Sequence, residues 1–174
     1  MAVGTVYSAN ATQFRASPHA LFTNARSKIM IDTIEVATTS MDDVGDIIMF
    51  GPIHSNARII RLGVMNDALA ASGLAYNIGG YYTGVGGEQL KNGKTEGTVV
   101  DADNIGTAVA FSTARVVLQD VRFEAADIAN IGDELWKVLG LTEDPGGLFY
   151  LALTCSTVAT TPAAGTISLV VEWL

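Results

Sequence analysis

Cysteine is nearly absent and histidine is scarce: 174 residues hold one of the first and two of the second. A lone Cys155 excludes an intrachain disulfide and any zinc site built on several thiolates. It fits synthesis in a reducing compartment. His19 and His54 sit in different contexts, and neither has a serine, cysteine or carboxylate at triad spacing. Positive charge is also short, with 10 Lys and Arg against 18 Asp and Glu and a formal net charge of −8. Phosphate neutralisation needs clustered cations, so no nucleic-acid partner is expected. No apolar run approaches the roughly 18 residues of a membrane helix, so no membrane partner is expected either. The opening MAVGTVYSANATQFR has no basic stretch followed by an apolar core, so no signal peptide is expected, and the chain reads as made without export. No cofactor is implied. The glycines of Gly84–Gly97 follow a strand, but the spacing of a dinucleotide loop fails.

What is present is glycine, alanine, threonine and valine, a mixture that favours strands and tight turns. A single domain of this length buries roughly 70% of its unfolded surface, enough for a core without covalent staples. The stretch from Asp42 to Asp67 organises the reading. It predicts strands at Asp46–Phe50 and Ala57–Met65, paired through a turn that begins at Gly51-Pro52 and carries His54-Ser55-Asn56. Period 2 makes Ile60, Leu62 and Val64 the apolar face of the second strand.

Lys28–Ala37 alternates as another strand, with Ile29, Ile31, Thr33 and Glu35 against Met30, Asp32, Ile34 and Val36. Ala75–Thr83 is a further strand in which Gly79-Gly80 marks a bulge or a close backbone approach. Asn92-Gly93 is the strongest hairpin signal in the chain. Asp101 and Asp103 read as caps of a short helical turn before Ile105–Phe111, since no glutamate closes a calcium loop. Val116–Phe123 is a strand. Ala125–Leu139 carries a helical period, weakened at Gly132 and stopped at Gly140. Leu148–Thr157 and Thr166–Trp173 alternate clearly and are expected to close the fold as an antiparallel hairpin. Phe149, Leu151, Leu153 and Cys155 share one face of the first; Ile167, Leu169, Val171 and Trp173 share one face of the second. Six to eight short strands with one helix predict a mainly β, antiparallel two-sheet sandwich of jelly-roll type.

Residues 1–27 differ from the rest. They hold no acidic residue, carry Arg15 and Arg26, and show no sustained period. One reading is a frayed terminus. The other is an extended arm whose Val6, Tyr7, Phe14, Arg15, Leu21, Phe22 and Arg26 dock onto a partner, because three aromatics are unusual in a disordered tail. The domain expectation is an arm over residues 1–27 and a sandwich over residues 28–174.

Catalytic candidates are weak. The carboxylate pairs Asp42/Asp43, Asp133/Glu134 and Glu143/Asp144 fall in turns or on a solvated helix face, where surface charge is the simpler account. Tyr76, Tyr81 and Tyr82 around Gly79-Gly80 allow a sugar-stacking platform, or alternate between core and surface on a strand. Cys155, on an apolar strand face, reads as an inert buried thiol. The expectation is a protein that is not an enzyme.

Several stretches in this order resemble one group of proteins: GDIIMFGPIHSNARIIRL after an acidic turn, AYNIGGYY, VVDADNIGTAVAFSTA, ELWKVLGLTEDPGGLFYLALT and TISLVVEWL. From about Ile29 to Trp173 the chain resembles jelly-roll capsid decoration (cement) proteins of tailed bacteriophages. That resemblance implies a homo-oligomer, a trimer in preference to a dimer, bound to the major capsid protein on the outside of the virion. It would be made in the host cytoplasm and would help the head resist the pressure of packaged DNA. Alternatives are another phage head or tail component, or a carbohydrate-binding sandwich on the virion surface.

Overall fold

Among the described residues, alternating apolar side chains build nine strands, and the way these pair defines the fold. The computed structural model describes residues 5–8, 28–40, 42–85, 93–122, 125, 130 and 132–174. In chain order the strands are β1 (Thr5–Tyr7), β2 (Lys28–Val36), β3 (Ile47–His54), β4 (Ile59–Asn66), β5 (Ala75–Tyr82), β6 (Val99–Ala110), β7 (Arg115–Asp120), β8 (Leu148–Thr157) and β9 (Gly165–Trp173). One sheet runs β1-β3-β8-β5-β6 and the other β2-β9-β4-β7. Strand β5 pairs with β6, β4 with β7, β3 with β8 and β2 with β9, all antiparallel. This is one long double ribbon, doubled at the β5–β6 tip and wrapped into two facing sheets, which is the jelly roll. Strand β1 is an addition, parallel to β3 at the sheet edge.

The two sheets enclose one continuous core. Phe149, Leu151, Leu153 and Cys155 of β8 point into it, and so do Ile167, Leu169, Val171 and Trp173 of β9. Each set faces inward as the alternation predicts, but the two strands do not form a hairpin. They lie in opposite sheets, and residues 158–164 cross between them. The same holds for β3 and β4, expected as a pair: the Ser55-Asn56 turn carries the chain from one sheet to the other. Period 2 fixes which side chains share a face. It does not fix which strand lies alongside, and a turn linking two sheets looks locally like a turn linking two neighbours.

Bulges account for other departures. Gly51-Pro52 does not start a turn; β3 runs through it, with a register shift between Met49 and Pro52 that keeps Ile48, Phe50 and Ile53 all inward. Proline has no N–H to give a ladder, and a bulge is where a strand tolerates it. A second shift between Ile59 and Arg61 turns Ile60 outward, 44% exposed, while Leu62 and Val64 are buried. Ile60 therefore leaves the apolar face expected for it. At Gly79 a Cβ would lie 2.1 Å from the Asp101 carbonyl oxygen, the close approach expected there.

Asp101 and Asp103 lie within β6 and cap no helix. The Asp101 carboxylate accepts the backbone N–H groups of Asp103 at 3.0 Å and Asn104 at 2.9 Å, a local turn inside an irregular strand. Helix α1 spans Leu135–Val138 only. Gly132, at φ +82°, cannot continue a right-handed helix into it. Most of the rest of the predicted helix lies outside the described residues.

Candidate interaction surface

The outer faces of the two sheets differ. On the far side of the five-stranded sheet, Met49, Tyr81, Leu148, Tyr150 and Ala152 form a second buried cluster, with Tyr7, Ile47 and Val85 packed against it. Tyr150 stacks edge-on with Tyr7 at 6.0 Å and donates its hydroxyl to Glu96 at 2.8 Å. That face is covered by the chain itself.

The outer face of the four-stranded sheet is bare among the described residues. Register places Ile29, Glu172 and Arg61 in one row across it, then Ile31, Val170 and Gly63, then Thr33, Ser168 and Met65, with Glu35 and Thr166 at the far end. Leu118 of β7 fills the place a Gly63 side chain would take, since a Cβ there would lie 2.5 Å from its Cγ. Ile29 is 63% exposed and Ile31 65%, and at the opposite edge Val116 is 82% and Val117 75% exposed. Strand β7 bulges there: Val64 pairs with Gln119 and Asn66 with Arg115, so three residues stand opposite one and both valines are pushed outward. An open hollow of about 230 Å³ lies beside them, lined in part by Met65, Arg115, Val116 and Ser168.

Asp32, on the inward face of β2, ties this sheet to the other. Its carboxylate accepts the N–H of Gly51 at 2.7 Å, the group freed by the β3 bulge, and the hydroxyl of Ser8 just beyond β1. Asp32 is 2% exposed, and these two donors satisfy a group that would otherwise be costly to bury. Alternation grouped Asp32 with Met30, Ile34 and Val36. Its partner was hidden because Gly51-Pro52 reads as a turn.

Among the arm residues, Val6 and Tyr7 lie in β1 and pair with Ile48 and Met49 of the same chain. They are engaged within the sandwich, and the described structure gives them no part in a free arm. Phe14, Arg15, Leu21, Phe22 and Arg26 lie outside the described residues. Tyr76, Tyr81 and Tyr82 are 0%, 3% and 5% exposed, so they form no sugar platform. Tyr81 meets Thr154 at 2.7 Å, and Tyr76 packs edge-on against Phe111 at 5.3 Å. Burial, abetted by the charges of Cys155 and Asp46, pushes the Tyr76 phenol far above its ordinary range.

His54 closes β3, and burial is the main cause holding its imidazole below the usual value. Nearby Lys28 acts in the same direction, and a hydrogen bond to the Gly147 backbone opposes both. Cys155 is buried, and its thiol is pushed up to about 11, chiefly by burial. Another open hollow, of about 570 Å³, is lined by Tyr82, Lys94, Leu141, Thr142, Glu143, Asp144 and Pro145. Asp144 there caps its own turn, accepting the Gly146 N–H at 2.8 Å. Among the described residues no three of His, Cys, Asp and Glu converge as a metal set.

The apolar face was legible in part. A strand whose two faces are both apolar, as KIMI opens β2, needs a cover on each side. The run Val116-Val117-Leu118 is a second such signal.

No protein-family model matches the sequence, and neither does any curated protein. Among solved structures, the chain is similar to one in the capsid asymmetric unit of cyanophage Pam1. The TM-score is 0.50 at 11% identity, over 90% of this chain and 94% of that one. At such low identity the likeness is one of fold: this jelly roll is also the architecture of a chain found in a phage capsid.

Proposed function

We propose that this chain is a structural virion protein that binds the outside of a bacteriophage head and stabilises contacts between capsomers of the major capsid protein. The observation that carries this reading is the bare apolar face of the four-stranded sheet, on a jelly roll shared with a capsid chain. An exposed apolar area spread over several strands fits a protein surface better than a small molecule. The protein acts through shape and surface and turns over no substrate. Phe14, Arg15, Leu21, Phe22 and Arg26, in a segment free of acidic residues, supply the contact with the capsid. Repetition over a symmetric shell lets modest affinity per copy suffice.

The test is co-sedimentation of the purified full chain with heads that lack it. Saturable binding and a higher temperature of head disruption are expected. Alanine at Phe14, Arg15 and Phe22 together should lower retention by about tenfold or more, as expected when interface anchors are truncated. No binding to heads would sink the proposal, and recovery with tails alone would move the protein to the head–tail or tail components.

A further inference from the structure

We infer that the open hollow between the end of β5 and the α1–β8 connection is a weak saccharide-binding site, with the Tyr82 hydroxyl, the Lys94 ammonium and the Glu143 carboxylate as its polar contacts. The inference goes beyond the capsid-binding reading and does not rest on it. The hollow holds about 570 Å³, a size usual for a small-molecule site. Tyr82 closes β5, Lys94 precedes β6, and residues 141–145 lead from α1 to β8. Tyr82 is 5% exposed, yet among the described residues its hydroxyl makes no hydrogen bond. A polar group buried to that degree is normally satisfied, and one that lines a hollow is answered by what fills it. Burial pushes this phenol above its ordinary range, so it keeps its proton and can both donate and accept. The ring lies edge-on to Phe149 at 5.5 Å, and the Tyr82 N–H donates to the Thr98 carbonyl at 2.8 Å. The hydroxyl is therefore fixed before a ligand arrives, which spares binding the cost of ordering it.

The other lining groups select the chemistry of the ligand. The Lys94 ammonium sits 5.3 Å from the centre of the Tyr82 ring and, among the described residues, has no ion pair. Glu143 has neither ion pair nor hydrogen bond there, whereas Asp144 is engaged by the Gly146 N–H. Two adjacent carboxylates disfavour a phosphate or another anion, and the ammonium disfavours a simple cation. A ring of neighbouring hydroxyls suits both charges, because each hydroxyl can donate to Glu143 or accept from Lys94. The hydroxyls of Tyr82 and Thr142 serve such a ligand in either sense, and Leu141 and Pro145 offer apolar surface to its C–H groups. The Tyr82 ring is too buried to stack on a sugar, so its contact is through the hydroxyl. The site is open and its contacts few, which sets a dissociation constant on the order of 1 mM.

The experiment is an amide-resolved NMR titration of the full chain with glucose, galactose, mannose and N-acetylglucosamine, with glycine and inorganic phosphate as controls. Each is taken to about 50 mM, well above the expected dissociation constant. Saturable shifts at the Lys94, Thr142 and Glu143 amides are expected with at least one sugar. Tyr82→Phe removes the hydroxyl and keeps the ring, so it should melt as the wild type does and weaken binding about fivefold or more. Glu143→Gln, at an exposed position, should weaken binding by a similar factor and needs no change in the core. No saturable shift with any of the four sugars overturns the inference, as does sugar binding that either folded variant leaves unchanged. Tighter binding of glycine or phosphate than of every sugar overturns the saccharide assignment. Head retention of Glu143→Gln is measured in parallel and should match the wild type, so each proposal can fail alone.

Discussion

The Ser8 hydroxyl donates to the buried carboxylate of Asp32, and through it the end of the first strand is fastened to the opposite sheet. The same carboxylate takes the Gly51 N–H at the β3 bulge, so one side chain holds β1, β2 and β3 in register. Asp32→Ala removes the acceptor shared by the Gly51 N–H and the Ser8 hydroxyl. A loss of about 2–4 kcal/mol in urea unfolding is expected. A loss below about 1 kcal/mol would mean that water replaces the carboxylate.

Two glycines separate steric need from backbone need. At Gly79 a Cβ would meet the Asp101 carbonyl oxygen at 2.1 Å and the Ala102 backbone at 2.5 Å. Gly79→Ala must force β5 and β6 apart, and a loss of about 3 kcal/mol or an insoluble product is expected. Gly93 has nothing within 4 Å but adopts φ +65°. Gly93→Ala should cost only about 1 kcal/mol, for strain alone. Equal losses at the two positions would refute the distinction.

The Tyr76 hydroxyl is fully buried and, among the described residues, makes no hydrogen bond. The ring earns its place through Phe111 and the core, while the hydroxyl costs desolvation. Tyr76→Phe should be neutral or stabilising by about 1 kcal/mol in thermal unfolding. A destabilisation of similar size would reveal a partner for the hydroxyl.

Cys155 gives the fold an alkaline limit. Its thiol rises from an ordinary 9.0 to about 11 in the folded protein, so the folded state keeps its proton where the unfolded chain gives it up. That contribution is complete below about pH 9 and is lost as pH climbs toward 11, a change on the order of 2 kcal/mol. The urea midpoint should fall across this window, and Cys155→Val should flatten the fall. Native protein should also resist a thiol reagent at pH 8 and react fully once unfolded. Rapid native labelling would show that the sandwich opens there.

The sequence foretold which residues share a face along β2, β8 and β9, because two-residue alternation is a local property of the pleat. It also marked Gly79 and Cys155 correctly. What it hid was non-local. Whether β8 lies beside β9 depends on where the chain folds over the whole sandwich, and the VATTPAAG connection reads the same in either case. Ile60 fell on the wrong face because a bulge adds one residue to the count without changing composition. Strand β1 was not foreseen, because Thr5–Tyr7 is too short to show a strand period. On the surface, Ile29 and Ile31 were visible as one side of β2, but alternation cannot tell which of two apolar sides meets solvent.

The nested ribbon has a consequence for synthesis. In each sheet the strand with neighbours on both sides that arrives last, β8 between β3 and β5 and β9 between β2 and β4, comes from the final part of the chain. While the ribosome still holds those residues, neither sheet has its central member, and β2, β3 and β4 stand with bare backbone edges. Neither sheet can therefore close until β8 and β9 have emerged, and the growing chain is most exposed to aggregation just before they do.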